Sequence, residues 1–113
     1  MTEGTYLDSI LSYHRERAKN DLRSLDQLLK EISAKCKEGP SFQKKIVAEK
    51  GLSVIAEIKR RSPSKGELKG NLDAVDLAKA YERAGAACVS VLTDYEHFGG
   101  SKEDLLNVRR SVK

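Results

Sequence analysis

Helical patterns fill the first part of the chain, and strand and helix patterns alternate after it. From Tyr6 to about Asn20, Leu7, Ile10, Leu11 and the Tyr13–His14 pair recur at helical spacing, with Arg15, Glu16, Arg17 and Lys19 on the other side. That spacing predicts an amphipathic helix, with Thr5 as N-cap and Asp8 completing a variant capping box. A second stripe, Leu25, Leu28, Leu29 and Ile32, predicts a helix from Ser24 to about Cys36, ended by Gly39-Pro40. Ser41 caps a short third helix, Phe42 to Glu49, which Gly51 stops. Val54 to Ile58 is a short apolar run rich in β-branched residues, which predicts a buried strand. Asp73 to Ala84 returns to helical spacing through Val75, Leu77, Ala78 and Tyr81, and Gly85 ends it. Ala86 to Leu92 predicts a second buried strand, and a last helix follows Ser101, with Arg109, Arg110 and Lys113 gathered at its end. Strand, helix, strand in this order predicts β-α-β with parallel strands.

Composition narrows the class without naming a task. At 113 residues the chain is one domain at most, and no apolar run approaches the roughly 18 residues of a membrane span. Charges interrupt the N-terminal region from Asp8 onward, so no signal-peptide core is present, and a reducing cytoplasm fits best. Two cysteines, Cys36 and Cys88, are too few and too far apart for a disulfide framework or a zinc site, and Cys88 reads as a small core residue. The net charge of +4 favours anionic partners in general. Its 21 basic residues are interleaved with 17 acids, and no aromatic-rich RNA-binding motif appears, so nucleic acid is not expected.

The chemistry gathers where the first strand ends. Side chains alternate along a strand, so Val54, Ala56 and Ile58 share one face, and Ile55, Glu57 and Lys59 share the other. A carboxylate and an ammonium two residues apart at such an exit either pair with each other or meet a ligand. In α/β proteins ligands bind at the carboxyl ends of parallel strands. The loop from Arg60 to Asn71 adds Arg61, Lys65 and Lys69, and Gly66 and Gly70 are expected to keep it mobile. It reads either as a lid over an anion or as a solvated charge run. A second loop, Thr93 to Gly100, carries His97 and Phe98, the latter a ring contact or a loop anchor. His14, a lone helix histidine, reads as a surface or core-edge residue.

The run Val54 to Gly66, VIAEIKRRSPSKG, resembles the hallmark segment of indole-3-glycerol-phosphate synthase, the ring-closing enzyme of tryptophan biosynthesis. The resemblance implies an α/β fold: the N-terminal portion of a (β/α)8 TIM barrel, with a helical extension over residues 1–52 and the first two βα units over residues 53–113. It also implies that the barrel is incomplete, because the later units would carry a further lysine, glutamate and asparagine and the phosphate-gripping loops. By the same resemblance, Lys59 and Glu57 are catalytic. Lys59 holds the substrate carboxylate beside the reacting oxygen, and Glu57 keeps Lys59 charged and handles protons. Ser62 and Phe98 bind substrate, a small sugar phosphate, and Phe98 packs on its benzene ring. Arg60, Arg61 and Lys65 steer the anion. Neither metal nor organic cofactor is implied.

Two other readings stay open. One is a different phosphate-binding barrel enzyme, against which Glu-x-Lys followed by Ser-Pro-Ser argues. The other is a non-catalytic module that binds an anion or a protein. A two-strand piece has open sheet edges, so self-association, or complementation by a C-terminal part, is expected.

Overall fold

The computed structural model describes residues 4–35 and 39–113, so expectations that rest on Cys36 lie outside the described residues. The chain forms two compact units, Met1–Gly39 and Pro40–Lys113. In the first, α1 (Tyr6–Lys19) and α2 (Leu25–Lys35) follow the two leucine-rich stripes. Thr5 and Asp8 form a complete capping box on α1: the Asp8 N–H donates to Thr5 Oγ1 at 3.2 Å, and the Thr5 N–H donates to Asp8 Oδ2 at 2.7 Å. Neither helix buries a residue, and Leu7, Leu29 and Ile32 stay exposed.

The second unit contains α3 (Phe42–Ala48), β1 (Ile55–Ile58), β2 (Arg61–Ser62), β3 (Gly66–Glu67), α4 (Ala74–Arg83), β4 (Cys88–Val91), α5 (Tyr95–Phe98) and α6 (Lys102–Ser111). β1 and β4 pair in parallel, with Ala56 opposite Val89, Glu57 opposite Ser90 and Ile58 opposite Val91. This is the expected β-α-β order, with α4 as the crossover. Alternation along β1 is strict: Ala56 and Ile58 are buried, while Ile55 and Glu57 are exposed. The core lies on the buried side, where Ile58 packs with Ala74 and Ala78 of α4 and Val108 of α6, and Val89, Val91, Leu77 and Tyr81 close around them. Small residues on α4 let the helix approach the sheet closely, and the Tyr81 hydroxyl ties the layers by donating to the Glu57 carbonyl at 3.1 Å. The caps expected from sequence recur here, Ser41 on α3 and Ser101 on α6, and Asp73 caps α4; each accepts a backbone N–H in the first turn.

Five expectations need correction. Both strands are shorter than their apolar runs, and Val54 is half exposed although its carbonyl already accepts from Ala87 at 2.9 Å. β4 is only half-buried, because helices cover one face of a sheet that has one neighbour per strand among the described residues. The loop after β1 is not loose: β2 and β3 form a small antiparallel hairpin, and the Arg60 carbonyl accepts from Leu68 and Lys69. The loop after β4 contains α5, which Asp94 caps through the His97 N–H at 3.0 Å and Gly99 ends at φ 68°. Cys88 is half-buried instead of a core residue, with Sγ 3.9 Å from the Phe42 carbonyl of α3. Gly100 is buried against the end of β4: a Cβ there would sit 1.7 Å from the Leu92 carbonyl oxygen, so no side chain fits. Among the described residues, no helix is long and apolar enough to cross a membrane.

Candidate functional site

β1 delivers Glu57 to the sheet face opposite α4 and α6, and Lys59 follows one residue past the strand end. The two side chains form an ion pair, Lys59 Nζ to Glu57 Oε1 at 3.2 Å, with the lysine 32% and the glutamate 49% exposed. Both charges remain accessible to solvent. The expectation that they face one side together therefore holds, and the couple stands at the carboxyl end of a parallel strand. Ser90 of β4, opposite Glu57 in register, adds a hydroxyl-bearing position on the same face. An exposed ammonium of this kind can bind a carboxylate or donate a proton to a developing oxyanion, and its strength rises when water is excluded.

Ser62 lies in β2, where its hydroxyl accepts from the Lys65 N–H at 3.2 Å and stands 3.4 Å from Ser64 Oγ. The Ser-Pro-Ser turn is thus held by its own side chains and does not dangle. Phe98 is half-buried in α5, its ring 6.4 Å from that of His97. His97 Nδ1 lies 2.8 Å from Asp94 Oδ2, and both groups are largely buried. α5 packs on β2, so the contact between the two loops brings the segments of Ser62 and Phe98 together, while Glu57 and Lys59 sit on β1 and its exit. His14 lies on α1 in the other unit, its ring edge-on to Tyr13 at 5.2 Å.

The basic residues of the loop divide by what they touch. Arg60 turns into the protein: its guanidinium donates to the Leu72 carbonyl and pairs with Asp104 Oδ1 at 2.7 Å. Both partners are about four-fifths buried, which makes Arg60 a link between the end of β1 and α6. Arg61 is also engaged, at α5. Lys65 alone of the three is exposed. Steering by Arg60 and Arg61 was the expectation, and their charges are instead bound to carbonyls and a carboxylate. Asp104, Tyr95 and Asp94 were missed as partners. Asp94 was legible as an N-cap followed by Gly99, but nothing local marks Asp104, 44 residues from Arg60.

A cavity of about 500 Å³ opens elsewhere in the second unit, between α3, β4 and α6. Phe42, Cys88, Val91, Leu105 and Val108 give it an apolar floor, and neither Glu57 nor Lys59 lines it. It is a groove beside the unpaired flank of β4 and contains none of the proposed chemistry.

Comparison with known proteins adds independent findings. The family description indole-3-glycerol phosphate synthase matches residues 7–113. Curated proteins of that name align over nearly all of this chain. The protein from Mycobacteroides abscessus is 42% identical over 112 residues, which is 99% of this chain and 41% of the relative. That from Aquifex aeolicus is 41% identical over 111 residues, 96% and 41%, and that from Kineococcus radiotolerans is 44% identical over 114 residues, 96% and 41%. The chain therefore spans about two-fifths of the length of these relatives.

Proposed function

The chain belongs to the indole-3-glycerol phosphate synthase family, and on that premise we propose that it forms the first part of an enzyme that closes an indole ring. β1-α4 and β4-α6 are the first two units of an eight-stranded barrel whose interior is the face bearing Glu57. The groove between α3, β4 and α6 is the seat for the next unit. The carboxyl end of β1 opens into the active site.

The substrate is 1-(2-carboxyphenylamino)-1-deoxyribulose 5-phosphate. A carbon–carbon bond forms between the carboxylate-bearing ring carbon and the sugar ketone carbon, and the ketone oxygen takes a proton to become a hydroxyl. The carboxylate leaves as carbon dioxide, which restores the aromatic ring, and the hydroxyl then leaves as water to give the indole. No metal or organic cofactor is required for these steps. They need a cation at the carboxylate, an acid at the ketone oxygen and a base for dehydration. Lys59 binds the carboxylate and stands beside the reacting oxygen, and Glu57 orients the ammonium and handles protons. Ser62 contributes a hydroxyl to the anionic end, and Phe98 packs on the benzene ring.

The observation that carries this reading is the Glu57–Lys59 pair, held at 3.2 Å and solvent-accessible on the face opposite α4 and α6, at the strand's carboxyl end. A structural ion pair would serve equally well anywhere on the surface. Its position on the face opposite the helical core supports a ligand site. The test joins this chain to the part of the Aquifex aeolicus relative that it does not cover, about three-fifths of that protein, and follows indole fluorescence from the substrate. Turnover is expected in the joined protein and not in this chain alone. A folded, soluble joined protein that makes no indole product would contradict the reading.

A further inference from the structure

Arg61 makes a contact that a steering charge would not need. From β2 its Nη2 donates to the carbonyl oxygens of Tyr95 and Glu96 in α5, the second at 3.0 Å, and its Cζ lies 5.1 Å from the centre of the Tyr95 ring. A helix of four residues satisfies few of its own carbonyls, so a charged fork of donors at that point completes it. Gly99 gives a second, independent sign of close fit. A Cβ there would lie 3.4 Å from both Arg60 Cβ and Arg61 Cγ, so the backbone at the end of α5 lies directly against the loop after β1. Ser62 follows Arg61 in β2, and Phe98 is the last residue of α5.

We infer that Arg61 is a positioning residue: it latches the loop after β1 to the loop after β4 and thereby sets Ser62 and Phe98 at a fixed separation for one substrate. The inference rests on the functional reading above for the identity of that substrate, but the latch itself is a property of this chain. Its guanidinium is occupied by backbone oxygens and an aromatic face, so Arg61 acts through Ser62 and Phe98 and does not itself touch the substrate. Lysine cannot replace it fully: an ammonium can donate to both carbonyls, but it lacks the planar guanidinium that lies over the Tyr95 ring while its edge donates.

The latch is read in the chain itself by fluorine NMR after labelling with 4-fluorophenylalanine. There are two phenylalanines, Phe42 and Phe98, and Phe42→Leu assigns their signals. Arg61→Ala is expected to shift and broaden the Phe98 resonance while the Phe42 resonance stays in place. Arg61→Lys, which keeps the charge, should fall between and guards against a failure to fold. In the joined enzyme, Arg61→Ala should raise KM about tenfold with a smaller change in kcat, since it disturbs binding groups and leaves Lys59 in place. A Phe98 resonance indifferent to both substitutions overturns the latch, as does wild-type KM in an active Arg61→Ala enzyme. A joined enzyme with no turnover overturns the functional reading instead, and the fluorine signal still decides the latch.

Discussion

At the scale of single residues, the decisive contrast is between charges that look outward and charges that are spent inside the fold. The sequence sets Glu57, Lys59, Arg60 and Arg61 almost side by side, yet the end of β1 and the start of the β2–β3 hairpin send them to different work. Glu57 and Lys59 pair on the face opposite α4 and α6, whereas Arg60 crosses to Asp104 and Arg61 to α5. Because the Glu57–Lys59 pair is solvent-accessible, breaking it with Glu57→Gln should change stability by less than about 1 kcal/mol in a urea melt. The same change should slow turnover of the joined enzyme, though less than loss of Lys59. A large loss of stability would reveal a structural pair. Asp8 gives a residue-scale pH effect. The Thr5 backbone N–H, and then the Thr5 hydroxyl, hold its carboxyl below the ordinary 3.8. The folded value is depressed, so the contribution of this box is complete above 3.8 and is lost as pH falls through the lower folded value. An NMR titration should find Asp8 protonating below 3.8, with the start of α1 fraying alongside it, and Asp8→Asn should abolish that step. Titration at or above 3.8 would contradict the box.

Among the elements, legibility followed locality. Caps and stops within one turn were readable: Thr5, Ser41 and Ser101 all begin helices where the sequence placed them. α5 was passed over because four residues carry too little periodicity, although Asp94 and Gly99 bracket them. The β2–β3 hairpin was hidden because Gly66 read as looseness, whereas at φ 66° it opens β3 directly after a turn over residues 63–65. Arg60–Asp104 was invisible because it joins residues 44 apart, and only the packing of α6 beside β1 creates it. Two element-scale outcomes follow. Arg60→Ala leaves Asp104 unpaired and the Leu72 carbonyl without its donor, and should cost about 2 kcal/mol in chemical denaturation. Ser101→Ala removes the α6 cap and should cost about 1 kcal/mol. If Arg60→Ala were neutral, the link between strand and helix would not be holding the layers.

For the whole molecule, family membership and the parallel β-α-β layout agree, and the missing information lies in partners the sequence could not display. Glu57 is exposed on the face opposite α4 and α6, β1 and β4 each keep an unpaired flank among the described residues, and the α3-β4-α6 groove presents Phe42, Val91 and Leu105. Unpaired strand edges beside apolar surface promote pairing between chains. Sedimentation of this chain should therefore show concentration-dependent association, relieved when a C-terminal barrel portion is added in trans. A monomer that melts cooperatively at all concentrations would argue against it. In the proposed reaction Lys59 is the group that meets the carboxylate of the substrate. The most direct measurement is single-turnover indole formation in the joined enzyme with Lys59→Ala beside the wild type. A fall of about a hundredfold or more with an unchanged melting temperature is the predicted result. Wild-type rates without the Lys59 ammonium would contradict it.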